Sequence, residues 1–291
     1  MPPEQASDAV LGNAMYPRWR MDEDCSAAGQ FLATRLPASP QAAVVLGSGL
    51  GTFVDAIEPA CSIPYRQIPG FPCSTAMGHA GCLHWTEIFG MPTVILQGRC
   101  HLYEGYSREE STRPVRTLCG LGLQTLVVSC AAGGLNPQFD VGDLMLFDDH
   151  IDLLGSTKFT GQVQRSLRGE VYSHRWLQRV EEAAREEQLT LRRGTYVAVP
   201  GPNYETRAEL RMFRQLGGDA IGMSSVPEIL AARRRGVNCV GLATITNACV
   251  PDVPHQASGE AVLAAATSAE PRFRKLVLSL LARCAAAESG A

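Results

Sequence analysis

The sequence predicts an α/β fold of three layers, with helices packed on both faces of a central sheet. Two observations carry that prediction. Short apolar runs rich in β-branched residues alternate with stretches of helical periodicity, and each apolar run ends in glycine or a polar turn. The expected strands are 42–46, 93–97, 125–130, 144–147, 195–199 and 237–246. Between and after them the periodicity predicts helices over 107–121, 174–188, 205–216, 227–235 and 258–287. The chain of 291 residues is read as one domain, 1–291, with residues 1–21 as a loosely ordered extension. Residues 155–170, with Lys158, Arg165 and Arg168 among small polar residues, read either as a lid or as a plain connector.

Apolar residues at 45% and charged residues at 19% are ordinary for a chain that buries a large core. A net charge of −3 argues against a nucleic-acid or acidic-membrane partner, which would call for surplus Lys and Arg. Any anionic ligand must instead meet local positive groups. The ten cysteines are irregularly spaced, without a C-x-x-C pair or a Cys/His cluster, so buried thiols are expected and no metal site. The first residues lack a basic region followed by an apolar stretch, and no apolar run approaches the roughly 20 residues of a membrane helix. The expected location is the cytoplasm.

Ligands of α/β folds gather beyond the carboxyl ends of strands, so the residues just after each strand are the candidates. Val44-Val45-Leu46 runs into Gly47-Ser48-Gly49-Leu50-Gly51, where glycine lets backbone N–H groups converge on an anion. A tight turn without a ligand is the competing reading. Dinucleotide binding is disfavoured, because the spacing is G-x-G-x-G and Gln67 stands where a ribose diol would want a carboxylate. After the strand 93–97, Arg99, His101 and Tyr103 share one face if the extended conformation persists. Arginine grips phosphate, histidine donates to it, and tyrosine reaches a sugar hydroxyl, while Glu104 is near enough in sequence to orient His101.

Gly201-Pro202-Asn203-Tyr204-Glu205-Thr206 leaves another strand and opens a helix. Its aromatic ring can stack on a purine and its carboxylate can accept from purine N–H groups, although Glu205 can equally serve as an acid at the helix start. Asn247 closes the last apolar run, and its amide can donate and accept at once along the N7/O6 edge of a 6-oxopurine.

Taken in order, these segments resemble the trimeric class of purine nucleoside phosphorylases within the nucleoside phosphorylase family. The blocks are G-S-G-L-G; Ser74 to Gly81, S-T-A-M-G-H-A-G; G-R-C-H-L-Y-E-G-Y; Ala131 to Asn136, A-A-G-G-L-N; G-P-N-Y-E-T; Gly222 to Glu228, G-M-S-S-V-P-E; and I-T-N. The resemblance implies one α/β/α domain around a mixed, partly barrel-like sheet. It implies a phosphate site of Ser48, His79, Arg99, His101, the backbone of Ala131, and Ser224, and a base site of Tyr204, Glu205 and Asn247. Tyr103 and Met223 would line the ribose, with catalysis resting on Asn247, Glu205 and His101. The implied partners are a purine nucleoside and inorganic phosphate, the latter a co-substrate with no cofactor, and the implied assembly is a homotrimer or a hexamer.

This chain departs from the family's pattern at several positions. The segment 155–170 is shorter than the family's usual lid and offers one aromatic ring, Phe159, for the sugar. Where the family often supplies a histidine for the ribose 5′-hydroxyl, counting lands on Gly259, so His255 nearby becomes the candidate. Cys130 stands where asparagine is common, and Tyr204 where phenylalanine is common, which extends the expected substrates from inosine and guanosine to xanthosine. A methylthioadenosine phosphorylase of the same family would typically carry Asp in place of Asn247, and a purine-binding protein without catalysis is the remaining alternative.

Overall fold

In the computed structural model, residues 22–155, 171–252 and 258–289 are described. All six expected strands and all five expected helices are present, the strand 42–46 with the expected ends and the others with shifted ones. The strands are β1 (Ala42–Leu46), β2 (Cys61–Pro64), β3 (Cys82–Ile88), β4 (Met91–Gln97), β5 (Thr125–Gly134), β6 (Leu144–Asp152), β7 (Leu191–Ala198), β8 (Ala220–Gly222) and β9 (Asn238–Ala248). The helices are α1 (Glu23–Arg35), α2 (Arg108–Gly120), α3 (His174–Glu186), α4 (Arg207–Gln215), α5 (Val226–Arg233) and α6 (Gly259–Ser289). Helix α1 and strands β2, β3 and β8 were not expected from the pattern. None of these helices is long and apolar enough to cross a membrane.

The strand order β2-β3-β4-β1-β5-β8-β7-β6-β9 bends back on itself, because β9 also pairs with β5. The ring β5-β8-β7-β6-β9 is closed, and β4, β1 and the β2–β3 pair extend from it as an open sheet. Strand β5 joins the two parts. Along one edge its first half pairs in parallel with β1, Ala42 opposite Thr125 to Val45 opposite Val128, and its last residues pair antiparallel with β8, Gly133 opposite Ile221. Its other edge runs parallel to β9 throughout. This is the mixed, partly barrel-like sheet expected of the family.

Inside the ring Phe147 stacks on Tyr196, with centroids 4.4 Å apart, and both are fully buried. Gly241 leaves the space for them, since a Cβ there would stand 2.3 Å from the Phe147 ring. Helices α1, α2 and α5 pack in succession on one side, and α3 packs on α6, which contacts β9 and β5. Helix α4 covers the ring with Leu210 and Phe213, which meet Val197, Val199 and Ile221 in a separate apolar cluster. Asp22 and Asp24 tie the start of α1 to Arg116 on α2 at 2.6 and 2.5 Å, and Asp22 also reaches Arg235. Asp22, Asp24 and Cys25 lie close enough together to hold an ion, but arginines already occupy both carboxylates and burial keeps the thiol protonated.

Candidate active site

Every candidate residue within the described parts lines one cavity of about 360 Å³ at the carboxyl ends of the strands. Ser48, His79, Arg99, His101, Ala131 and Ser224 form one end, Tyr204, Glu205 and Asn247 the other, and Tyr103 and Met223 also face it. Phe159 and His255 lie outside the described residues. Gly259, Val262 and Leu263 of α6 add an apolar stretch of wall, with Met77 on the loop opposite.

The glycine turn after β1 exists because two elements press on it. A Cβ on Gly47 would stand 2.7 Å from Cys130 Cα, and one on Gly49, whose φ is +79°, would stand 2.5 Å from Ala266 on α6. Only glycine fits where backbones approach this closely or where φ is positive. The Gln97 side chain donates to the Gly51 carbonyl at 3.0 Å, and the Gly47 N–H donates to Ser129 Oγ at 3.1 Å. The turn is thereby held from both neighbouring strands.

Its serine is oriented by His79. The Arg99 N–H donates to His79 Nδ1 at 3.3 Å, which leaves the ring proton on Nε2, 3.2 Å from Ser48 Oγ. Ser48 accepts that proton and keeps its own O–H for the cavity. Burial, reinforced by His101 and Arg99, pushes the His79 imidazole down to about 3, so this neutral tautomer persists across the working pH range.

Arg99 is only 4% exposed. Its Nη1 donates to the Ser129 carbonyl at 2.5 Å and to Ser224 Oγ at 3.2 Å, and its Nε faces both carboxylate oxygens of Glu228 at 3.2 Å. Nη2 is buried without a protein partner among the described residues. Ser224 reaches the guanidinium through a strained turn. Ser225 has φ +71° and ψ −50°, and the Val226 N–H donates back to the Ser224 carbonyl at 2.8 Å, which is a γ-turn of the rare, positive-φ kind.

The extended conformation expected to align Arg99, His101 and Tyr103 does not persist. Residues Leu102–Glu104 form one turn of 3₁₀ helix instead, and His101 meets Tyr103 by ring stacking, with centroids 4.7 Å apart. The turn brings Glu104 back under His101. Glu104 Oε1 accepts from His101 Nδ1 at 3.0 Å and from its backbone N–H at 2.7 Å, while Oε2 accepts from the Thr75 N–H at 2.5 Å and from Thr75 Oγ1 at 2.9 Å. One carboxylate therefore ties the loop that carries His79 to the loop that carries Arg99 and His101. Those hydrogen bonds hold the Glu104 carboxyl well below the usual range despite its burial. With Nδ1 held by Glu104, Nε2 is the ring nitrogen that His101, a residue lining the cavity, can offer to a ligand.

At the other end, a β-bulge aims Asn247. Ala132 pairs with Ile245 and Gly133 with Asn247, so Thr246 is the extra residue. Asn247 Oδ1 accepts from Thr246 Oγ1 at 3.1 Å and Nδ2 donates to Cys249 Sγ at 3.3 Å, which leaves one N–H and one lone pair of the amide unspent. Glu205 sits one residue before the cap of α4, where Thr206 and Glu209 form the capping box, so the helix does not need it as its terminal acid. Burial raises the Glu205 carboxyl, and no cation offsets that effect among the described residues. Tyr204 is 47% exposed at the cavity's edge.

Sequence reasoning missed Glu228, Ser129 and Cys249. Glu228 was visible as the last residue of G-M-S-S-V-P-E, but nothing in a sequence indicates that an acid would be buried against an arginine 129 positions away. The profile of the phosphorylase superfamily matches residues 41–282. Purine nucleoside phosphorylase 1 of Geobacillus stearothermophilus is 46% identical over 226 residues, which cover 76% of this chain and 82% of that protein. The Bos taurus purine nucleoside phosphorylase is 41% identical over 278 residues, 89% of this chain and 94% of the other. Purine nucleoside phosphorylase 1 of Bacillus subtilis (strain 168) is 37% identical over 269 residues, 90% and 99% of the two chains. With a superfamily match over residues 41–282 and relatives 37–46% identical across three quarters or more of the chain, the chain belongs to the phosphorylase superfamily and to its purine nucleoside phosphorylase family.

Proposed function

We propose that this chain cleaves purine nucleosides with inorganic phosphate, favouring 6-oxopurines such as inosine and guanosine and extending to xanthosine, with ribose or 2′-deoxyribose. The observation that carries this reading is that one cavity joins anion donors at one end to the Asn247 amide and to a Glu205 carboxylate that has no cation beside it among the described residues. Phosphate would lie on Ser48, His79, Arg99, His101, Ser224 and the Ala131 backbone. The base would stack on Tyr204 between Glu205 and Asn247, with the ribose against Tyr103 and Met223. No metal or redox cofactor enters the scheme, and the site belongs to a cytoplasmic homotrimer or hexamer.

In the reaction a phosphate oxygen bonds to C1′ as the C1′–N9 bond breaks, and the bonding pair leaves with the purine. The net proton passes from HPO₄²⁻ to the purine imidazole. The phosphate's charge stabilises the oxocarbenium character of the ribose, and Asn247 meets the charge that develops at N7 and O6. Phosphate is the nucleophile and the purine the leaving group, so the pair of carboxylates used by glycosidases is not required. Replacing Asn247 by Ala should lower turnover on the order of 10²–10³-fold.

The test is to incubate the protein with inosine, guanosine, xanthosine, adenosine and methylthioadenosine, with and without phosphate, and to measure free base and sugar phosphate. Phosphate-dependent release from the 6-oxopurines is expected. Preference for methylthioadenosine would assign the other branch of the family, and tight base binding without turnover would leave a purine-binding protein.

A further inference from the structure

Glu228 is a buried carboxylate at the anion end, and no step of the proposed reaction uses it. It lies on the first turn of α5, is 5% exposed, and approaches Arg99 Nε with both oxygens at 3.2 Å. Burial pushes its carboxyl up, and the Arg99 guanidinium pulls it back towards the ionised form. Burying a carboxylate against a guanidinium carries a desolvation penalty that their attraction does not reliably repay, so fold stability alone does not account for the pair. A use is legible in how the guanidinium is divided. Nε is engaged by Glu228 and Nη1 by Ser129, Ser224 and Ser225, so of the three guanidinium nitrogens the buried Nη2 is the one without a hydrogen-bond partner among the described residues, in a side chain that lines the cavity.

We propose that Glu228 is a positioning residue for anion exchange: it fixes the guanidinium so that Nη2 remains for the phosphate, and its charge offsets that of Arg99 so that the anion is held weakly enough to leave. A fixed, uncompensated arginine would bind inorganic phosphate tightly, but it would hold the sugar phosphate just as firmly. The compensated pair keeps the directional donor and gives up part of the Coulomb attraction. This inference rests on the phosphorolytic reading above.

The test separates charge from reach. Glu228→Gln keeps an acceptor of the same length and removes the charge, whereas Glu228→Asp keeps the charge and withdraws it by one methylene. With the full-length protein, phosphate binding is measured by titration calorimetry, and kcat and the KM values for phosphate and inosine by steady-state assay. Glu228→Gln should tighten phosphate binding on the order of tenfold and lower kcat, as sugar-phosphate release becomes limiting. Glu228→Asp should weaken phosphate binding by a similar factor. The KM for inosine and the affinity for free hypoxanthine should move less than twofold in either variant, a split that general loosening of the fold would not produce. If both variants bind phosphate as the unaltered protein does, or if both weaken it alike, the charge-balancing role is wrong while phosphorolysis stands. If the unaltered protein neither binds phosphate nor requires it, both readings fall. Should Glu228→Gln not fold, Glu228→Asp with unchanged phosphate binding is enough to overturn the proposal.

Discussion

At the scale of single residues, the site works through tautomers and amide orientation that its neighbours impose. Folding holds the His79 imidazole neutral down to about pH 3, whereas in the unfolded chain it titrates near 6.5. Between those values the unfolded chain binds a proton that the folded chain refuses, so stability falls as pH falls through that window and is untouched above it. His79→Gln, which keeps an N–H for Ser48, should flatten the dependence of the melting temperature on pH between about 6.5 and 4.5, above the range in which carboxylates such as Glu104 dominate. Parallel curves for the two proteins would mean that His79 is not the group responsible. Asn247 gives the second prediction. A 6-amino purine presents a donor where a 6-oxopurine presents an acceptor, so Asn247→Asp should shift the inosine-to-adenosine ratio of kcat/KM towards adenosine by about 10–100-fold, the value of one or two mismatched hydrogen bonds. An unchanged ratio would remove Asn247 from base recognition.

At the scale of elements, the base end depends on how β5 and β9 pair. The bulge at Thr246 rotates Asn247 into the cavity, and Gly133 opposite makes room for the Asn247–Cys249 contact. A Cβ on Gly133 would stand 2.3 Å from Cys249 Sγ and 3.2 Å from Asn247 Nδ2. Gly133→Ala should therefore raise the KM for nucleoside on the order of tenfold, leave phosphate binding unchanged, and cost about 1–3 kcal/mol of stability as an overpacked contact. An equal effect on both substrates would show that the two ends are not separable through this strand. The same elements mark what a sequence discloses. Strands β1, β4, β5 and β9 are near-continuous apolar runs, because they are buried on both faces, and they were legible for that reason. Strand β3 was not, because His84, Thr86 and Glu87 break the run. Its His84 is buried yet satisfied by Ser62 at 2.8 Å and Gln97 at 3.0 Å, contacts made only after the strands have paired. The approach of His101 to Tyr103 was expected for the wrong reason: a 3₁₀ turn, not alternation along a strand, brings them together.

For the whole molecule, the decisive feature is that β5 belongs to both the open sheet and the closed ring. The alternation of helices and strands disclosed the layers, but closure depends on β8, three residues long, and on the second edge of β5, neither of which leaves a period in the sequence. The proposed phosphate contacts straddle this junction. Ser48, His79, Arg99 and His101 come from the loops of the open sheet, whereas Ser224 follows β8 of the ring. If the shared strand couples the two parts, heating should give one transition, with the calorimetric enthalpy equal to the van't Hoff value. Phosphate at 100 times its dissociation constant should stabilise the whole by about 2.7 kcal/mol and raise that single midpoint by roughly 4 °C. Ser224→Ala should reduce the shift without splitting the transition. Two transitions, or a phosphate shift confined to one of them, would mean that the open sheet and the ring unfold separately and that the anion is held by only one of them.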